Sequence, residues 1–322
     1  MENKKVIYND ELMNEYTEFF MKRSVFEKKI NLHSYFLMFS EWLYYYINAD
    51  DYRIDLVNSL KNSNSKYRTK LDIDIIKLIA HDFFYDLGTR FGEDYDSIIN
   101  NEKNIILSID KDIFGKKIQK TGFSSISDNL VDGKLYGLLQ IKNYDSIETL
   151  YSIVHECTHS FSTVDNKYNQ SIYTILEVPS YFSESLLSDY LLKNYKRYNL
   201  NKKDVIHDVN LWKILRYFDY IQFEKDTYRS DYFLGLVLNS SFDNLSISKK
   251  KQEFKLLLYY LKLDRIDIAL KCIDFNLGNE KEIEKSKYLK NMKKNLIQII
   301  KELKGVEYDL SNDEMSVSHI KR

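Results

Sequence analysis

Tyr151-Ser152-Ile153-Val154-His155-Glu156-Cys157-Thr158-His159-Ser160-Phe161 is the stretch on which the reading of this chain turns. It contains the pattern H-E-x-x-H. On a helix, His155 and His159 fall four residues apart on one face, so two imidazole nitrogens can reach a single metal ion. Glu156 can then point at a water on that ion. Zinc is the ion the pattern suits, and a zinc hydrolase, above all a peptidase, is the chemistry it implies. The residues before it predict the helix. Asp145 reads as an N-cap with Glu148 completing a capping box, and Ile147, Leu150, Tyr151 and Val154 form an apolar stripe.

Two histidines leave a catalytic zinc one protein ligand short. The third should be a His, Asp or Glu from a neighbouring element. Downstream, Ile175-Leu176-Glu177-Val178-Pro179-Ser180-Tyr181-Phe182-Ser183-Glu184 offers two carboxylates in an apolar, helix-like segment. Seven residues apart, Glu177 and Glu184 share a face. A carboxylate on the inward side of a helix is costly unless paired or metal-bound. With H-E-x-x-H upstream, Glu177 becomes the candidate third ligand and Glu184 a candidate for orienting a ligating histidine.

Outward from this region the chain reads as mainly helical. It holds only 9 glycines and 1 proline in 322 residues, which favours long helices over a many-stranded sheet. Periodicity predicts helices over Glu11–Lys22 and Phe26–Ile47, then a long one from about Lys70 through Ile98 with Ile73, Leu78, Phe84, Leu87 and Phe91 inward. Asn62-Ser63-Asn64-Ser65 is the polar connector, dividing an N-terminal helical segment (1–65) from a catalytic domain (66–322). Residues 105–109 and 133–141 read as strands, with Lys120–Ser125 as a turn region between them. Beyond Ile141 the chain reads as helical almost to its end. Lys249-Lys250-Lys251 reads as the solvated start of one of these helices.

Composition narrows the partners. The formal net charge is −1, with 47 basic and 48 acidic side chains, so nothing favours a nucleic acid. No run is long enough for a membrane span, and no apolar leader follows Met1. Cys157 and Cys272 make no disulfide framework, which fits a reducing, cytoplasmic setting. Oligomeric state is not legible.

The pattern His155-Glu156-Cys157-Thr158-His159, followed by Leu176-Glu177-Val178-Pro179-Ser180 and Glu184, resembles the thimet oligopeptidase and oligoendopeptidase F family of zinc peptidases. Lys120-Thr121-Gly122-Phe123-Ser124-Ser125 and Tyr136-Gly137-Leu138-Leu139-Gln140 resemble further family segments, and the likeness covers about residues 70–305. It implies a zincin-like metallopeptidase catalytic domain, mainly α, with a small β-sheet beside the active-site helix. It implies one Zn²⁺ held by His155, His159 and Glu177, with Glu156 as general base. Short unstructured peptides would be the substrates, lying along the strand that contains Tyr136, Gly137 and Leu138. Tyr228 and Tyr232 would supply transition-state donors. Thr158 stands where the family has glycine, and the tyrosine region lacks the family's histidine. The alternative is therefore a catalytically weakened, zinc-containing peptide-binding or regulatory protein of the same fold.

Overall fold

The computed structural model describes residues 67–100, 105–111, 115–118, 122–131, 134–161, 177–221 and 245–262, with positions 294 and 298. Within them lie helices α1 (Ile73–Leu87), α2 (Thr89–Ile99), α3 (Ile147–Phe161), α4 (Glu177–Asn194), α5 (Lys202–Ile221) and α6 (Ile247–Lys262). Three strands, β1 (Ile105–Ile109), β2 (Gly122–Val131) and β3 (Lys134–Ile141), fall between α2 and α3. The protein is mainly α with one small sheet packed on α3. The N-terminal helices and the Asn62–Ser65 boundary expected from the sequence lie outside the described residues. No helix among the described residues is long and apolar enough to cross a membrane.

The expected long helix from Lys70 to Ile98 is two. It breaks at Gly88, whose N–H still bonds to the Phe84 carbonyl before the chain re-enters a helix at Thr89. Asp72 caps α1 by accepting from the Ile75 N–H at 2.9 Å. The buried face is Ile76, Ile79, Ala80, Phe83, Phe84 and Leu87, and Leu78, expected inward, is exposed. An i, i+3, i+4 stripe built on Ile76 rather than on Leu78 is the one that meets the core.

β3 lies in the middle of the sheet, in the order β1-β3-β2. It runs parallel to β1, pairing Ile105 with Gly137 and Ile106 with Leu138, and antiparallel to β2, pairing Gly122 with Ile141 and Val131 with Lys134. β2 corrects the reading of Lys120–Ser125 as a turn, since the chain is already strand at Gly122. Only Asp132-Gly133 separates Val131 from its partner Lys134, and Asp-Gly between two strands is a strong hairpin signal.

α3 runs through the centre. Every residue from Thr149 to Phe161 is buried, including all its polar ones. Ser146 rather than Asp145 begins it, its hydroxyl accepting from the Glu148 N–H at 3.3 Å. Asp145 instead has a positive φ of 46° and closes a local loop with Asn143. At the other end Phe161 packs edge-on against Phe84, with centroids 4.9 Å apart, and Phe84 also meets Tyr95 and Phe83. Phe84 has no exposed surface, so Phe84→Ala is expected to cost about 3–5 kcal/mol of stability in urea denaturation.

Two further ties fix the frame. The buried Asp208 carboxylate on α5 accepts from the backbone N–H groups of Arg68 and Thr69, and Lys70 bridges to Ser146, so residues 67–71 join α5 to the start of α3. On α6, Lys250 is buried and pairs with Asp189 at 2.7 Å, while Lys251 reaches Asp86. The lysine run opens a helix as expected, but Lys250 and Lys251 fasten that helix to α4 and α1 rather than sitting free in solvent.

Candidate metal centre

Helical spacing sets His155 and His159 on the face of α3 that meets α4. Glu177 stands in the first turn of α4, where an N-terminal carboxylate is favoured by the helix dipole. Pro179 is tolerated there because the first turn has no intrahelical acceptor for its missing N–H. Small hydroxyl side chains let the two helices approach closely: Thr158 Oγ1 lies 2.9 Å from Ser183 Oγ, and Ser180 Oγ donates to the His155 carbonyl at 3.2 Å. Thr158 thus fills the seam between the helices.

Three side-chain atoms converge across this seam. His155 Nε2 and His159 Nε2 are 3.0 Å apart, and Glu177 Oε2 is 3.1 Å from the first and 3.6 Å from the second. The three residues are buried, and together they form a group that could hold a metal ion. Glu177 Oε2 is within ion-pair distance of both rings yet has hydrogen-bond geometry to neither, and it is shielded from solvent. A buried carboxylate oxygen left in that way costs free energy unless a cation meets it.

The remaining partners of each ring bear on where the lone pairs point. His155 Nδ1 lies 2.7 Å from Glu184 Oε1 on the far side of its ring, whereas Ser180 Oγ lies 3.1 Å from His159 Nδ1 and 3.3 Å from His159 Nε2. When each Nδ1–H donates to its partner, each Nε2 presents its lone pair inward, toward Glu177 Oε2. Three acceptors then face one another at close range and attract positive charge. Burial works against charge on His155, but Glu177 and Glu184 outweigh it and hold its pKa up at about 10. Burial would also raise the pKa of Glu177, but His159 and His155 overcome that and keep it well below the usual carboxylate range.

Glu184 lies on α4, and α5 completes its surroundings. Arg216 grips it through Nη2 to Oε1 at 2.7 Å and Nε to Oε2 at 3.3 Å, and Trp212 Nε1–H donates to Oε2 at 2.8 Å. The guanidinium lies 4.4 Å from the Trp212 ring and 5.2 Å from that of Tyr181. Burial opposes the charge on Glu184, yet Arg216 and then His155 keep its pKa lowered. Tyr151 on α3 stacks on Trp212 at 4.5 Å, tying the same cluster back to the metal-site helix. Sequence reasoning missed Trp212 and Arg216. Their i, i+4 spacing was the available signal, and nothing in sequence joined it to Glu184.

Glu156 is buried beside this group without belonging to it. Burial raises its pKa, opposed by His155 and His159. Cys157, between the ligands in sequence, is fully buried with its thiol pKa pushed well up by burial, in keeping with a packing role. Tyr228 and Tyr232 lie outside the described residues. The expected substrate strand needs correction. β3 is hydrogen-bonded on both sides over Gly137 and Leu138, and Tyr136 already pairs with Ser127 of β2. A central strand has no free edge there to offer a peptide. Among the described residues, β1 and β2 are the outer strands, each paired with β3 on one side only.

No protein-family model matches the chain, and no curated protein matches it. Among solved structures, the crystal structure of a "putative peptidase" from Chlamydophila abortus is similar, with a TM-score of 0.45 and 13% sequence identity. The match covers 91% of this chain and 55% of that one, so this chain spans about half the length of that protein.

Proposed function

We propose that this chain is a zinc-dependent metallopeptidase acting on short, unstructured peptides. The observation that carries the reading is the convergence of His155 Nε2, His159 Nε2 and Glu177 Oε2, with that carboxylate oxygen buried and lacking a hydrogen bond. Zinc bonds of about 2.0–2.1 Å at tetrahedral angles separate ligands by about 3.3 Å. The observed spacings of 3.0, 3.1 and 3.6 Å bracket that value. Two imidazoles and one carboxylate are also the donor set of many catalytic zinc sites, which leave one position open.

When bound, zinc would polarise the scissile carbonyl and lower the pKa of water there toward neutrality. His155, His159 and Glu177 hold the ion. Glu184 and Ser180 fix the ring orientations. Glu156 takes the proton of the attacking water and passes it to the leaving amine, and its burial favours taking a proton. The peptide pairs by its backbone with the outer edge of β2 rather than with β3. That edge begins at Gly122, next to Glu156. Extended pairing of this kind selects peptides without secondary structure of their own.

Zinc stoichiometry combined with cleavage of a mixed peptide library tests the reading. Expected are one zinc per chain, cleavage abolished by a chelator, and recovery on adding zinc back. A chain that binds zinc and library peptides but releases none cleaved would instead be the weakened, peptide-binding protein. A chain that takes up no metal would overturn both.

A further inference from the structure

Gly122 opens β2 opposite Ile141, with its backbone against the side chain of Glu156. A Cβ on residue 122 would stand 2.6 Å from Glu156 Oε1, 3.2 Å from Cγ and 3.3 Å from Cδ, and these would be its three nearest neighbours. Gly122 is not among the residues of positive φ, so the backbone there does not itself demand glycine. Space demands it.

We propose that Gly122 is a positioning residue for Glu156: the volume its side chain would fill is the volume in which the carboxylate sits. The inference rests on the reading of Glu156 as general base. Because the obstructed atoms end a flexible side chain, alanine at this position would displace the carboxylate rather than the strand. Restoring ordinary contact requires a movement of about 0.8 Å, the difference between 2.6 Å and 3.4 Å. Glu156 is 9% exposed on a helix buried from Thr149 to Phe161, so little room exists for that movement. A misplacement of about 1 Å can cost roughly 100-fold in rate when a reacting group is already well placed. Zinc binding would not share this loss, since the three atoms nearest the added methyl all belong to Glu156 rather than to His155, His159 or Glu177.

The test uses the full chain in zinc-loaded form. Gly122→Ala is expected to lower kcat by about 100-fold, with KM and zinc affinity within twofold of native. A second measurement needs no activity. Gly122→Ala lowers Tm in the native background, whereas in a Glu156→Ala chain the same change has space and raises Tm by restricting the unfolded state. Native kcat in Gly122→Ala, or the same Tm shift in both backgrounds, would overturn the inference. If Gly122→Ala does not fold, the double variant decides: folding of the pair supports the contact, and failure of both overturns it. If the native zinc-loaded chain cleaves nothing, the peptidase reading falls, and the two Tm shifts alone judge Gly122.

Discussion

Glu156→Gln is expected to lower peptide cleavage by about 10²–10⁴-fold while the zinc content stays at the native level. The amide keeps the shape of the side chain, so the contact with Gly122 and the packing of α3 survive. What is lost is the ability to accept a proton. The three converging ligand atoms do not include Glu156, so the metal stays. Burial raises the pKa of this carboxyl against the pull of His155 and His159, bringing it nearer the pH at which it must work as a base. The loss should therefore appear in kcat, with KM little changed. Steady-state kinetics on a cleaved library peptide, with metal analysis of the same sample, checks this. Native turnover in a zinc-loaded Glu156→Gln chain would remove Glu156 from the reaction.

Glu184→Ala is expected to have two large effects. It removes the buried carboxylate that the part-buried Arg216 grips, and the cost should approach from below the figure of about 3–5 kcal/mol for breaking a fully buried ion pair from one side. Trp212 Nε1–H loses its acceptor at the same time. The second effect falls on the metal. His155 loses the partner that holds its Nδ1–H, and with it the fixed direction of Nε2. Zinc affinity should fall by about 10–100-fold. Urea denaturation with chelator present isolates the first effect, and competition against a zinc indicator reads the second. Glu184→Gln, whose single amide oxygen can accept from either Trp212 or His155 but not from both, should recover part of one effect. Stability within 1 kcal/mol of native together with unchanged affinity would show that Arg216 and His155 do not depend on this carboxylate.

The clustering of His155, His159 and Glu177 was legible because its information is local. The i, i+4 pair His155/His159 and the i, i+7 pair Glu177/Glu184 each lie on one helix, where spacing alone fixes the face. Asp145 and Leu78 show how such readings slip: a capping residue and an inward face can each move by a position or two without changing the pattern. What needs two distant elements was not legible. The clamp of Trp212 and Arg216 on Glu184 depends on how α5 crosses α4. The central place of β3 depends on β2, hidden by Gly122, Ser124 and Ser125, which read as part of a turn. The value of Gly122 lies in a contact across the fold that spacing along the chain does not encode.

The burial of α3 bears on how the site moves. A helix with one face in water can fray or open by itself, at a small fraction of the free energy that unfolds the whole protein. α3 has no such face from Thr149 to Phe161, and its neighbours among the described residues include α1, α2, α4, α5, β2 and β3. Opening it means dismantling those packings together, so its amide protons should exchange only when the chain unfolds globally. The ligand geometry carried by His155 and His159 is therefore guarded by the full stability of the fold. Any motion that opens the site must come from elements around this helix.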